Sequence, residues 1–159
     1  AGGRPVTTFV DGAATFAPIS APLRDWLREH ADLAAHIGTD TNGTAQVYAG
    51  GFPDAVDLSD GPAIDLYTAG GLDGGTLHDR PFVRFNVVAL TGTVAEATAY
   101  ALRSVLAHAA GAALGLAADP SDVRLTGADT APPLWAPDPD TNRPRYVVTS
   151  TLTVQAVGI

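Results

Sequence analysis

Arg80-Pro81-Phe82-Val83-Arg84-Phe85-Asn86-Val87-Val88-Ala89-Leu90, followed by Thr91-Gly92 and then Thr93 to Gly115, reads as one strand feeding one long helix. Val83, Phe85, Val87 and Ala89 alternate with Arg84 and Asn86, the period of two expected of a strand with one buried side. Val88 and Leu90 imply that the second side is partly covered too. Thr93 and Glu96 stand in the spacing of a capping box, in which each side chain answers an unpaired N–H of the first turn. Val94, Ala97, Ala101, Leu102, Val105, Leu106, Ala109, Ala113 and Leu114 then recur at threes and fours, an apolar stripe ending at Gly115 as a left-handed cap. The stripe is alanine-rich, so the helix can approach its sheet closely, and Gly111 weakens its last turn by roughly 1 kcal/mol.

Composition bounds what surrounds this unit. A chain of 159 residues with 46% hydrophobic content makes one domain with a real core. The absence of cysteine excludes disulfides, thiolate metal sites and cysteine nucleophiles. No apolar run approaches the ~20 residues of a spanning helix and no stretch reads as a signal peptide. The expectation is a cytosolic protein or one delivered within an assembly, with no membrane partner. All nine basic residues are arginine, against seventeen acids and a net charge of −8. A pI near 4.6 argues against nucleic-acid binding by phosphate neutralisation, though not against DNA passing by without adhering.

Outward from the central unit, residues 1–19 read as an N-terminal arm, with a possible short strand at Thr7–Val10 and apolar anchors at Phe9 and Phe16. The single domain occupies 20–159. Ser20 is placed to cap a first helix running to Ile37-Gly38, with Pro22 in its first turn and Leu23, Trp26, Leu27, Ala31, Ala34 and Ile37 as its stripe. Gln46-Val47-Tyr48 and Ala63–Thr68 read as strands. Between them lies a loop with Asp54, Asp57 and Asp60, whose spacing invites a metal but which lacks histidine or glutamate and suits a solvated acidic loop better. Ala69 to Asp79 holds four glycines in eleven residues with no following lysine or helix, so it is no phosphate loop. It reads as a mobile hairpin loop that orders on a partner. Val123–Leu125 is a short strand, and 127–144 an irregular proline-rich run pinned by Leu134-Trp135. Asp138-Pro139-Asp140-Thr141-Asn142 copies the start of a calcium loop without its glycine or glutamate and is a turn. In the last strand Tyr146, Val148, Leu152, Val154 and Ala156 face one way. Val147, Thr149, Thr151, Thr153 and Gln155 face the other, a threonine row suited to water or another subunit. The fold class is α+β: a mixed, mainly antiparallel sheet with two helices on one face.

Catalytic chemistry finds little support. His30 and His108 sit beside helical stripes, His36 at a helix end, and His78 in the glycine-rich segment next to Asp79. Neither nucleophile elbow, HExxH nor dinucleotide fingerprint is present, and no cofactor or metal is expected.

The order of helix beginning Pro-Leu-Arg, Val-Tyr strand, glycine-rich segment, strand, long helix, and Pro-Asp-Pro-Asp-Thr-Asn-Arg-Pro-Arg-Tyr leading into a threonine-rich strand resembles the tail terminator (tail completion) proteins of long-tailed, siphovirus-type phages, of the kind found in phages of actinobacteria. Pro22–Ile37, Gln46–Tyr48, Arg80–Leu90, Thr93–Gly115 and Trp135–Val157 carry the resemblance. It implies a virion protein forming a hexameric ring at the head-proximal end of the tail, which stops tube growth and joins tube to head. The implied partners are further copies of itself, the tail tube protein and the head–tail connector or stopper proteins, with DNA passing through the channel unbound. Connector and stopper proteins of similar size are the near alternatives, and a soluble ligand-binding domain the more distant one. Gly70, Gly71, Leu72, Asp73 and His78 are one candidate contact surface; Asp138 and Asp140 with Arg143 and Arg145 are another, or else a purely local turn network.

Overall fold

The computed structural model describes residues 9–10, 13–14, 18–54, 56–73, 78–114 and 123–155. Its elements are β1 (Phe9–Val10), β2 (Ala13–Ala14), α1 (Ser20–Glu29), α2 (Ala31–Ala34), β3 (Val47–Ala49), β4 (Ala63–Asp73), β5 (His78–Val88), α3 (Gly92–Ala107), β6 (Arg124–Thr130), β7 (Leu134–Trp135) and β8 (Arg145–Gln155). β1 and β2 pair as a small separate hairpin; Phe16 and Ala156 lie outside the described residues. The main sheet runs β3-β4-β5-β8-β6, with β7 also on β8, and only β3 lies parallel to its neighbour. This is the expected α+β architecture, with three helices instead of two.

The alternation in β5 and β8 sets the two faces. Val83, Phe85 and Val87 of β5, with Val148 and Leu152 of β8, join Leu23, Leu27, Leu33, Leu102 and Leu106 of the helices in one core. On the opposite face Val88, Ala63 and Leu58 make a small second cluster under Tyr48, Phe52 and Val56. Partial cover of that face therefore holds for Val88, whereas Leu90 is 66% exposed.

Tertiary packing redraws the helix boundaries. The first helix breaks at His30, whose backbone is extended (φ −75°, ψ 114°). The break leaves Ala31 and Ala34 exposed and turns Leu33 and Ile37 inward. Exchanging alanines for larger side chains in the core gains about 0.8 kcal/mol per extra buried methylene. Ser20 is no cap: Ile19 holds that position without a side-chain bond, and the Ser20 hydroxyl meets Thr68 at 3.2 Å. The α3 cap is Thr91, whose Oγ1 accepts from Val94 N at 3.3 Å, so the Thr93–Glu96 box does not form. The buried stripe is Ala95, Thr98, Ala99, Leu102, Val105 and Leu106, with Val94 46% exposed and Ala97 on the solvent side. The helix stops at Ala107, well short of Gly115, which lies outside the described residues. Gly111 (φ +90°) reverses the chain so that its N–H reaches Leu125 O at 2.8 Å. Ala109 and Leu114 are buried by that return, not by a helix.

The described part of the glycine-rich stretch, up to Asp73 and from His78, is strand and not the long loop expected from its composition. β4 and β5 continue through Gly71↔Pro81, Leu72↔Arg80 and Asp73↔Asp79, with a bulge between Thr68 and Gly71. Gly70 supplies the positive φ of +94°, and at Gly71 a Cβ would sit 2.5 Å from Arg80 O. Gly70 and Gly71 serve a bulge and a close strand approach, which composition cannot distinguish from flexibility, while Gly74 and Gly75 lie outside the described residues. Likewise, 127–144 is not wholly irregular, since β6 extends to Thr130 and β7 follows. Leu134 and Trp135 do tie the run to the body, by pairing with Val147 and Tyr146 of β8, although their side chains stay 65% and 49% exposed.

Candidate assembly surfaces

The first surface is the extended β4–β5 hairpin. β3 covers β4 only along Ile64, Asp65 and Leu66. From Tyr67 to Asp73 no described strand lies on the outer edge of β4, leaving backbone N–H and C=O groups available to a partner strand. On the far side of the sheet, the 111–114 return occupies the edge of β6 only at Val123 to Leu125. Among the described residues the sheet thus has two unpaired edges on its opposite sides, along Tyr67–Asp73 and Thr126–Thr130. Gly70, Gly71, Leu72, Asp73 and His78 all belong to this hairpin.

The second surface is the Asp138 turn. Asp138 Oδ1 accepts from Asp140 N at 2.9 Å, Asp138 N donates to Arg143 O at 3.1 Å and Asn142 N to Asp138 O at 2.7 Å, with Asn142 at φ +57°. The Asp140 amide bond holds the Asp138 carboxyl below its ordinary range. Arg145 Nε donates to Ala136 O at 2.7 Å. The arrangement is a local turn network, and among the described residues no ion pair links Asp138 or Asp140 to Arg143 or Arg145. Nor does the turn meet the hairpin. Arg145 pairs with Val88 at one end of β8 and Gln155 with His78 at the other, an eleven-residue strand whose ends lie roughly 30 Å apart at ~3.3 Å per residue.

An aromatic surface was not legible beforehand. The Trp135 and Tyr146 rings lie 5.2 Å apart at 58°, and Trp135 closes on Gly92 at the start of α3. Tyr146 OH donates to Glu96 Oε2 at 2.7 Å, which pushes the phenol's pKa up. Tyr100 of α3, near enough to Tyr146 to act on its phenol, is exposed, as is Leu90 just before the helix. The signal was Leu134-Trp135 itself, an apolar pair in a proline-rich run, but sequence cannot tell an anchor from an exposed contact.

The open sheet face is polar. Asn86 Nδ2 donates to Asp65 Oδ1 at 2.7 Å, and both residues are buried. Burial raises the Asp65 pKa against the opposing pull of Asn86, Arg145 and Arg84. Thr149, Thr151 and Thr153 line the same face, half-buried, as the alternation in β8 requires.

The helix break and the end of α3 bring His30, His36 and His108 around one groove of about 380 Å³ with Asp32 and Ser104. His108 Nδ1 is engaged with the Ser104 backbone oxygen at 2.8 Å, so no serine–histidine pair forms there. Among the described residues no three His, Asp or Glu side chains are arranged to hold a metal ion, and no helix is long and apolar enough to cross a membrane.

No protein-family model and no curated protein matches the chain. Among solved structures it matches a chain of the virion of a native gene transfer agent (GTA) particle. The TM-score is 0.51 and the identity 20%, over 94% of this chain and 98% of that one. At that identity the likeness is one of fold, and it extends along nearly the full length of both chains.

Proposed function

We propose that the chain is a virion structural protein of a phage-like particle, and within it the tail terminator: a ring, hexameric by the sequence resemblance, that caps the tail tube and receives the head. The observation that carries the reading is the end-to-end fold likeness to a gene transfer agent virion chain, found independently of the order of sequence signals that resembles tail terminators. The two unpaired sheet edges support it. They lie on opposite sides of the sheet and differ in sequence, which is the requirement for head-to-tail contacts that close into a ring. The hairpin and the Asp138 turn, at opposite ends of β8, give such a ring separate contact zones for tube and connector. Six copies would carry six times the −8 of one chain, a field that disfavours adhesion of DNA passing through. No catalytic role is assigned.

The test is electron microscopy of particles assembled with and without the protein, alongside negative-stain images of the purified chain with tail tubes. Rings at tube ends, and overlong headless tails in its absence, are expected. Normal tails without the protein would overturn the terminator role; normal-length tails detached from filled heads would favour a connector or stopper.

A further inference from the structure

A separate concavity of about 430 Å³ opens where the segment before β3 meets the acidic loop after it, walled by Asp40, Asp57, Asp60, Tyr48 and Gln46. Each carboxylate spends one oxygen locally. Asp40 Oδ1 accepts from Asn42 N and Thr44 N at 2.8 and 3.0 Å. Asp57 Oδ1 accepts from Ser59 N at 2.9 Å and its hydroxyl at 2.5 Å. Asp60 Oδ2 accepts from Thr39 N and Oγ1 at 2.8 and 2.9 Å. Among the described residues the other oxygen of each has no hydrogen bond, and no basic side chain is ion-paired to any of the three. Gln46 is only 2% exposed. Its Nε2 donates to Asp57 O at 2.9 Å, which fixes the amide's orientation and leaves Oε1 as a buried acceptor without a partner. Such an orphan is costly and calls for a donor.

The groove therefore offers negative charge and unused acceptors, against which its own wall sets only neutral hydroxyls such as those of Tyr48 and Thr41. The carboxylates are not gathered as a metal shell, and the volume suits a larger cation. A guanidinium matches best: it is planar, permanently charged, and presents five N–H donors in a fork that binds carboxylates two bonds at a time. The Tyr48 wall already tolerates one, since the Arg28 guanidinium carbon lies 5.7 Å from its ring centroid while Arg28 Nε is committed to Val47 O. Burial and the nearby Asp40 charge raise the Tyr48 pKa and keep its hydroxyl neutral.

We propose that this groove is a binding site for an arginine side chain presented by another polypeptide, its guanidinium held by the free oxygens of Asp40, Asp57 and Asp60 above the unpaired Gln46 Oε1. The site stands independently of the ring reading. The test is an NMR titration of the full-length ¹⁵N-labelled chain with N-acetyl-arginine methylamide, in parallel with the neutral N-acetyl-citrulline methylamide and with calcium chloride. Saturable shifts confined to the amides of 39–48 and 57–60 are expected with the arginine compound alone. Asp57→Asn, where an amide keeps the oxygen that Ser59 uses, should weaken that binding about two- to fivefold, the scale of an exposed ion pair; Asp40→Asn should act alike. No shift with the arginine compound, equal shifts with citrulline, or calcium saturating the same amides more tightly would each overturn the proposal.

Discussion

Leu102→Ala tests whether α3 lies on the sheet as described. Leu102 is fully buried, between Ala99 and Leu106 on its own helix, and α3 packs mainly against β8 and β6. The substitution removes three carbons, about 2.4 kcal/mol at ~0.8 kcal/mol each. The cavity left behind adds ~24 cal/mol per Å³, so a residual ~50 Å³ contributes about 1.2 kcal/mol more. Collapse is limited, because Ala95 and Ala99 are fully buried and already bring the helix close to the strands. The expected loss is therefore about 3–4 kcal/mol, a large share of the ~5–15 kcal/mol that holds a domain together. In urea this lowers the midpoint by roughly 1–4 M with an unchanged slope, measured at one fixed protein concentration because self-association would add its own stabilisation. Val94→Ala is the matched control, expected to stay within about 0.5 kcal/mol because that side chain is on the surface. A loss below 1 kcal/mol at Leu102, or an equal loss at Val94, would refute this placement of the helix.

Thr91→Ala should cost about 1 kcal/mol through loss of the cap and Thr93→Ala almost nothing; the reverse order in thermal melts would restore the capping box. Asp65 has a folded pKa raised by burial, so its contribution is fully present below the unfolded value of about 3.9 and is lost as pH rises through the folded value. Asp65→Asn, which keeps an acceptor for Asn86, should be more stable than the parent at pH 7. The gap should close toward acid, and a pH-independent gap in paired urea titrations would contradict the burial argument.

The sequence by itself determined the two strands and one helix at the centre of the fold, the alternation of β8 and the α+β class. These follow from periodicity, which is local: a period of two in Val83, Phe85 and Val87, and of three to four in Leu102, Val105 and Leu106, is the same in isolation as in the fold. Chemistry at the Asp138 turn was local too, since Asp and Asn satisfy neighbouring backbone groups wherever they stand. Tertiary structure decided where elements begin and end. Whether Ala31 or Leu33 faces the core depends on what the sheet offers, and the break at His30 answers that demand. Gly70 and Gly71 are the clearest case: permissive backbone is needed by a mobile loop and by a bulge alike, and only the approach of the Arg80 carbonyl distinguishes them. The acidic groove belongs to the same class. Asp40, Gln46, Asp57 and Asp60 are spread over twenty-one positions, and only the fold places their charges around one cavity.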